Sequence, residues 1–332
     1  MTLILHRLPV PARLVDRGID DLLVYRVPLT VRFRRIDVRD GLLLHGPAGW
    51  GETSPFWDYD AAESSAWLRA GLEGATSSLP DPLRDRIPVN ATVPVVDPGQ
   101  AHRIVASSGC ATAKVKVADP RSRLSADCAR LEAVRDALGP DGRIRIDANA
   151  AWTVDEAVAA IGELRRAAGE LEYAEQPCPS VADLAAVRRR VDVPIAADES
   201  VRRAEDPLAV ARAGAADLII VKAQPLGGVR RALRVVEEAG LPAIVSSALD
   251  TGVGIGLAAH LAAALPRLDH ACGLATTRLF TGDVTEASIT PENGSIPVRR
   301  AEVDTSGVQT GDEELCARWA ARLAEMMEAL DA

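Results

Sequence analysis

The sequence predicts an α/β protein in which a closed (β/α)8-type barrel follows a smaller α+β domain. Three observations lead there. From residue 89 onward, eight short apolar runs recur at intervals of about 20–30 residues, and each but the last is followed by an Ala/Arg/Glu-rich stretch with helical period. Eight such units over about 190 residues favour a closed barrel over an open doubly wound sheet. Residues 1–88 lack this rhythm and form a domain of their own.

In the first domain, 24–38 and 41–45 read as strands, with Asp40 and Gly41 as the turn between them. A glycine-rich connection, 46–52, leads to a helix over 61–72. The barrel runs are 89–95, 113–117, 144–147, 171–175, 194–198, 218–222, 243–246 and 270–274, with helices such as 155–168, 183–190, 228–238 and 253–264 between them. Beyond 274 the alternation stops. Asn293 and Gly294 mark a hairpin, and 312–330 has the pattern of an amphipathic helix. The division expected is a barrel over 89–283 and a capping domain over 1–88, completed by a returning tail over about 284–332.

Composition narrows the function. With 38 Lys and Arg against 47 Asp and Glu, the formal charge is −9, and no concentrated basic patch interrupts it. A nucleic-acid partner is not expected from such a surface. Nor is a membrane partner: the longest apolar run, 253–265, contains His260 and is far shorter than the roughly 20 residues a span needs. The N-terminus lacks the basic start and apolar core of a secretory signal. The five cysteines show no close pairing, which suits reduced thiols in the cytoplasm. Nothing in the sequence sets an oligomeric state.

Only three lysines occur, Lys114, Lys116 and Lys222; every other basic side chain is arginine. Arginine supplies positive charge but cannot act as a base, because its pKa stays above about 12. Lysine can be tuned down to roughly 7–8 and accept a proton. The three lysines are therefore candidates for chemistry.

Their neighbours support this. Three successive runs end in Asp147, Glu175 and Asp198, and the next ends in Lys222. Strand ends of a parallel barrel converge on one face, where active sites sit. Three convergent carboxylates repel one another unless a cation neutralises them, and hard oxygen donors without His or Cys suit Mg2+. Across the barrel, Lys114 and Lys116 stand two residues apart on one strand and point to the same side. Two adjacent ammonium groups beside a metal depress one another's pKa. Lys116, nearer the strand's C-terminal end, is the candidate base, and Lys114 its electrostatic partner. Arg145, two residues before Asp147, is a candidate for binding a carboxylate or for an ion pair inside the barrel. Asn149, Ser246, Ser247 and Gly273 end strands or enter the following loops and are candidate substrate contacts.

The series Ala113-Lys114-Val115-Lys116, Asp147-Ala148-Asn149, Glu175-Gln176-Pro177, Asp198-Glu199-Ser200 and Lys222 followed by Leu226-Gly227-Gly228 resembles the signature motifs of the enolase superfamily, muconate-lactonizing subgroup. The resemblance spans nearly the whole chain. It implies a (β/α)7β TIM-like barrel under an N-terminal capping domain, with Mg2+ on Asp147, Glu175 and Asp198. It also implies that Lys116 and Lys222 face a small-molecule carboxylate from opposite sides. Within the subgroup, Gly49 to Phe56, Asp58 to Asp60 and Pro88 to Val93 look most like the dehydratases of menaquinone biosynthesis, which convert a hydroxycyclohexadiene carboxylate to an aromatic acid. The capping domain is short for the subgroup. An N-acylamino acid racemase would use the same lysines, one per face. From another class, Lys222 could form a Schiff base in an aldolase barrel, which leaves Lys114, Lys116 and the three carboxylates unexplained.

Overall fold

The structure is a computed structural model that describes residues 3–203, 206–309 and 312–332. It begins with an antiparallel sheet of four strands in chain order, β1 (Ile4–Arg7), β2 (Asp21–Phe33), β3 (Ile36–Gly46) and β4 (Gly49–Thr53). Successive side chains on a strand face opposite ways, and here both faces are apolar. Leu22, Val24, Leu42 and Leu44 pack on helix Ala61–Thr76 and on helix Glu313–Asp331, whose Trp319, Leu323 and Met326 are buried. The alternate set, Leu23, Tyr25, Val27 and Leu43, packs with Phe56, Ala248, Leu249 and Val253 toward the barrel mouth. The sheet is thus sandwiched between helices drawn from both ends of the chain and the loops that follow the barrel strands.

The hairpin turn differs from the sequence expectation. It lies at Arg34 and Arg35, and β3 runs straight through Asp40 and Gly41, which pair with Arg26 and Tyr25. Glycine serves close packing here: a Cβ on Gly41 would stand 2.6 Å from the Ser54 Cβ and 2.7 Å from a Tyr25 ring carbon. Gly41→Ala should therefore destabilise the protein by about 1–3 kcal/mol, the usual effect of overpacking. Urea unfolding checks this; an unchanged midpoint would contradict the packing described.

Next, β5 (Arg86–Pro88) pairs with β13 (Ser295–Pro297), which follows the Asn293-Gly294 turn. The barrel strands are β6 (Ala91–Val93), β7 (Thr112–Lys116), β8 (Arg143–Asp147), β9 (Ala174–Glu175), β10 (Ile195–Ala197), β11 (Leu218–Val221) and β12 (Ala243–Val245). They are parallel and adjacent in chain order. The segment at Cys272 and Gly273 closes the ring. Its Cys272 N–H donates to Pro88 O at 2.7 Å, and its Gly273 N–H donates to Val245 O at 2.9 Å. After the closing segment comes only the short 3-10 turn Thr276–Leu279 and not an eighth barrel helix, so the architecture is (β/α)7β.

Helix starts follow their capping residues. Asp60, Asp97 and Ser180 accept from the backbone N–H three residues on, and Thr153 with Glu156 forms a reciprocal capping box. The five cysteines are free thiols. Among the described residues, no helix is long and apolar enough to cross a membrane.

Candidate active site

Five consecutive barrel strands each end in an ionisable group, and β7 carries a second, Lys114. Lys116 ends β7, Asp147 ends β8, Glu175 ends β9, Asp198 follows β10 and Lys222 follows β11. The register aligns Lys116 with Asp147 and Asp147 with Glu175. In a ring of eight, β7 and β11 stand four places apart, so Lys116 and Lys222 rise from opposite walls with the three carboxylates along the arc between them. A small cavity lies over this arrangement. Lys114, Lys116, Asp147, Asn149, Asp198, Lys222, Ser246, Ser247 and Gly273 all line it.

The charges are interlocked. Lys114 Nζ donates to Asp147 Oδ2 at 3.0 Å and to Glu175 Oε1 at 2.9 Å. Lys116 Nζ donates to the same Asp147 oxygen at 2.5 Å and to Asn149 Oδ1 at 2.7 Å. Lys222 Nζ donates to Asp198 Oδ2 at 2.6 Å. Burial and neighbouring charge together set the ionisation of the three carboxylates. Glu175 is pushed up to about 7 by burial and then by the Asp147 charge, with Lys114 opposing. Burial would raise Asp147 too, but Lys116 and Lys114 hold it well below the usual carboxylate range. Asp198 is likewise held well below, because Arg202 and Lys222 outweigh its burial.

The lysines separate. Burial, with Arg202 nearby, brings Lys222 down to about 8 against the pull of Asp198. Lys114 goes the other way from the mutual depression expected of two neighbouring lysines. Burial lowers it, but Glu175 and Asp147 outweigh burial and hold it well above its ordinary value. Lys114 is a fixed cation in this arrangement.

A metal site was expected on the three carboxylates. Among the described residues, no three acidic, His or Cys side chains stand close enough to hold an ion as placed; the Lys114 ammonium sits between Asp147 and Glu175. The donor chemistry still fits a hard divalent ion. It consists only of carboxylate oxygens at the ends of adjacent strands.

Arg145 is directed away from the cavity. It is fully buried toward the N-terminal end of the barrel, bonded to Glu172 Oε2 at 2.6 Å, Tyr173 Oη at 3.1 Å and Ala271 O at 2.8 Å. It shares the inward direction of Asp147 but lies one layer deeper, and its contacts are those of an internal ion pair.

Several residues escape the strand-end pattern. Gln176 Oε1 accepts from the Asp198 N–H at 2.9 Å while its Nε2 donates to Ser200 Oγ at 2.7 Å, tying the end of β9 to that of β10. Its positive φ of 37° sets that direction. Arg202 bonds Asp198 Oδ1 at 3.0 Å and Tyr59 Oη at 2.5 Å, so an arginine of the barrel reaches an aromatic residue of the cap. Phe33 and Arg34, from the tip of the β2–β3 hairpin, complete the cavity from above with Thr276. Gln176, within Glu175-Gln176-Pro177, and Tyr59, within the Asp58 to Asp60 motif, stood beside a legible signal.

Two family models match the chain: an enolase N-terminal domain-like model over residues 24–75 and an enolase C-terminal domain-like model over 98–302. The o-succinylbenzoate synthase of Thermobifida fusca is 58% identical over 90% of this chain and 94% of its own length. That of Mycolicibacterium smegmatis is 51% identical over 89% and 90%. Among solved structures, a dipeptide epimerase from Enterococcus faecalis, complexed with Mg and the dipeptide L-Leu-L-Tyr, has the same fold. Its TM-score is 0.72, at 24% identity over 86% of this chain and 98% of that one. A barrel of this topology under this cap, matched by relatives along almost their entire length, places the chain in the enolase superfamily, in the o-succinylbenzoate synthase family.

Proposed function

We propose that this enzyme, a lyase, dehydrates 2-succinyl-6-hydroxy-2,4-cyclohexadiene-1-carboxylate to o-succinylbenzoate, the aromatising step its relatives are named for. Kinship with those synthases, 58% and 51% identical along almost their whole length, carries the reading, and the order around the barrel mouth, lysine, three carboxylates, lysine on five consecutive strands, supplies its machinery. A substrate carboxylate lying against the carboxylate arc has its α-carbon between the two ammonium groups.

Asp147, Glu175 and Asp198 would hold Mg2+, which when bound supplies fixed positive charge beside the substrate carboxylate. Lys116 takes the proton from the α-carbon, and the electron pair moves into the carboxylate to give an enediolate. The β-hydroxyl then leaves from the same face with the proton that Lys116 acquired, so hydrogen and hydroxide depart together as water. Asn149 accepts a hydrogen bond from Lys116 and orients it. Lys222 stands on the opposite wall with its Nζ donating to Asp198 and is the cation of the second face. There it stabilises the charge developing on the ring, with a cation–π component. Ser246, Ser247 and Gly273 form the side of the cavity against which the ring packs.

Product analysis tests this against the racemase reading. Incubation with the cyclohexadiene should give the aromatic acid. With an N-succinylamino acid in heavy water, exchange of the α-hydrogen should be slow beside that dehydration. Fast exchange of both enantiomers with poor dehydration would assign the site to a racemase.

A further inference from the structure

Asp198 differs from the other two carboxylates in how its side chain is aimed. Asp147 and Glu175 close their strands inside the parallel ladder, aligned with each other in register, so the pleat of the sheet sets their direction. Strand β10 stops at Ala197, and Asp198 lies just past it with φ of −112° and ψ of −73°. Its direction therefore depends on what holds its oxygens. Lys222 Nζ donates to Oδ2 at 2.6 Å, and Arg202 Nε donates to Oδ1 at 3.0 Å.

Arg202 is itself held on every arm, with a side chain only 1% exposed. Its Nη1 donates to Tyr59 Oη at 2.5 Å, and its Nη2 donates to Glu199 Oε1 at 2.6 Å. Three acceptors around one planar fork fix the plane of the guanidinium. The same Glu199 oxygen accepts from Asn149 Nδ2 at 3.3 Å, and Asn149 Oδ1 accepts from Lys116 Nζ. A continuous polar chain thus runs from the candidate base to the Asp198 carboxylate, with Arg202 at its junction.

One arm of that junction belongs to the cap. The Tyr59 ring is buried and meets Phe56 and Trp67 edge-on, each with centroids 5.9 Å apart. Arg322, from helix Glu313–Asp331, donates to the carbonyls of Phe56 and Tyr59, both at 2.8 Å. Asp198 and Arg202 stand four residues apart and can pair from the local helix alone. The phenol adds what local pairing lacks, a fixed point outside the barrel.

Resting on the Mg2+ site of the proposed function, we propose that Arg202 is the positioning residue for Asp198 and that Tyr59 sets it, so that docking of the cap determines how tightly the barrel holds Mg2+. Without the phenol, Nη1 loses its acceptor in a buried place, which is costly for any donor. The guanidinium then turns from the Asp198 oxygen to recover a partner. Removing the groups that orient metal ligands commonly lowers metal affinity by about 10–100-fold.

The test uses Tyr59→Phe and Arg202→Lys in the full chain, with Mg2+ titrated calorimetrically in the absence of substrate. Both variants keep the positive charge beside Asp198, so a change in affinity reports orientation and not neutralisation. Arg202→Lys should weaken Mg2+ binding by about 10–100-fold, and Tyr59→Phe, acting one bond further out, by about 3–10-fold. The Mg2+ concentration that gives half-maximal turnover should rise by the same factors, and added Mg2+ should restore most of the rate. Tyr59→Phe keeps the ring and its packing, so it decides the question if Arg202→Lys does not fold. Gly41→Ala is the control: it crowds the cap without touching this chain of bonds, and it should bind Mg2+ as the wild type does. Equal affinity in the wild type and both variants would overturn the proposal. So would an equal loss in Gly41→Ala, which would reflect a loosened cap in general. If the wild type bound no Mg2+, the metal reading would fail and this proposal with it, whereas wild-type binding beside unaltered variants would sink this proposal alone.

Discussion

Lys116→Arg should be as inactive as Lys116→Ala. Arginine keeps the positive charge and most of the length, and it can still donate to Asp147 and Asn149 where Lys116 does. It cannot give up its proton to become a base, since its pKa lies above about 12. Loss of a general base lowers turnover by roughly 10²–10⁴-fold, and both variants should fall in that range. Single-turnover kinetics on the purified variants measure this, with product binding as a control for an intact cavity. If Lys116→Arg retained more than about a tenth of the wild-type rate, proton abstraction would have to be assigned to another group. Lys114 would be a poor substitute, because Glu175 and Asp147 hold it firmly protonated.

Removal of divalent metal should reduce turnover by at least about 10²–10³-fold, with recovery on adding Mg2+. Chelation is the cleaner form of the test. Asp198→Asn should also abolish activity, but it would leave Lys222 and Arg202 buried beside an amide. Breaking a buried pair from one side commonly destabilises a protein by about 3–5 kcal/mol, so unfolding has to be measured alongside turnover. Glu175→Gln is gentler, because its carboxyl is already pushed up to about 7 and sits nearer neutrality. That variant should remain folded, bind Mg2+ weakly in calorimetry and turn over little. Full activity after exhaustive chelation would exclude a metal on the carboxylate arc.

The positions of Asp147, Glu175, Asp198 and Lys222 were legible because two periodicities coincide. Parallel strands recur at regular intervals, and each ends on the same face, so residues far apart in the chain can be placed together from spacing alone. Arg145 shows the limit of that reasoning. Inward direction repeats every second residue, so the pattern cannot tell the mouth from the layer below it, and Glu172 draws Arg145 to the lower layer. Asp40 and Gly41 misled for another reason. The pair is a turn signal only where the backbone is free to reverse, and here the Tyr25 ring needs the space a side chain would fill. Phe33, Arg34 and Tyr59 could not be found by strand counting at all. They reach the barrel mouth from the cap, and nothing periodic connects a residue of one domain with the cavity of another.

The cap is built from both chain ends, and this has a consequence for the order in which the molecule can be assembled. The outer apolar face of the first sheet, with Leu22, Val24, Leu42 and Leu44, leaves the ribosome before the barrel does, yet Trp319, Leu323 and Met326, which cover it, belong to helix Glu313–Asp331, which follows the barrel. Throughout synthesis of the intervening barrel that face is without part of its cover, as an early-emerging domain usually is not. The barrel can close before the cap is finished; the hairpin bearing Phe33 and Arg34 gains its full support only afterwards. Competence for chemistry is thereby tied to a late event in biogenesis, and an incomplete chain would carry the lysines and carboxylates without the roof that encloses them.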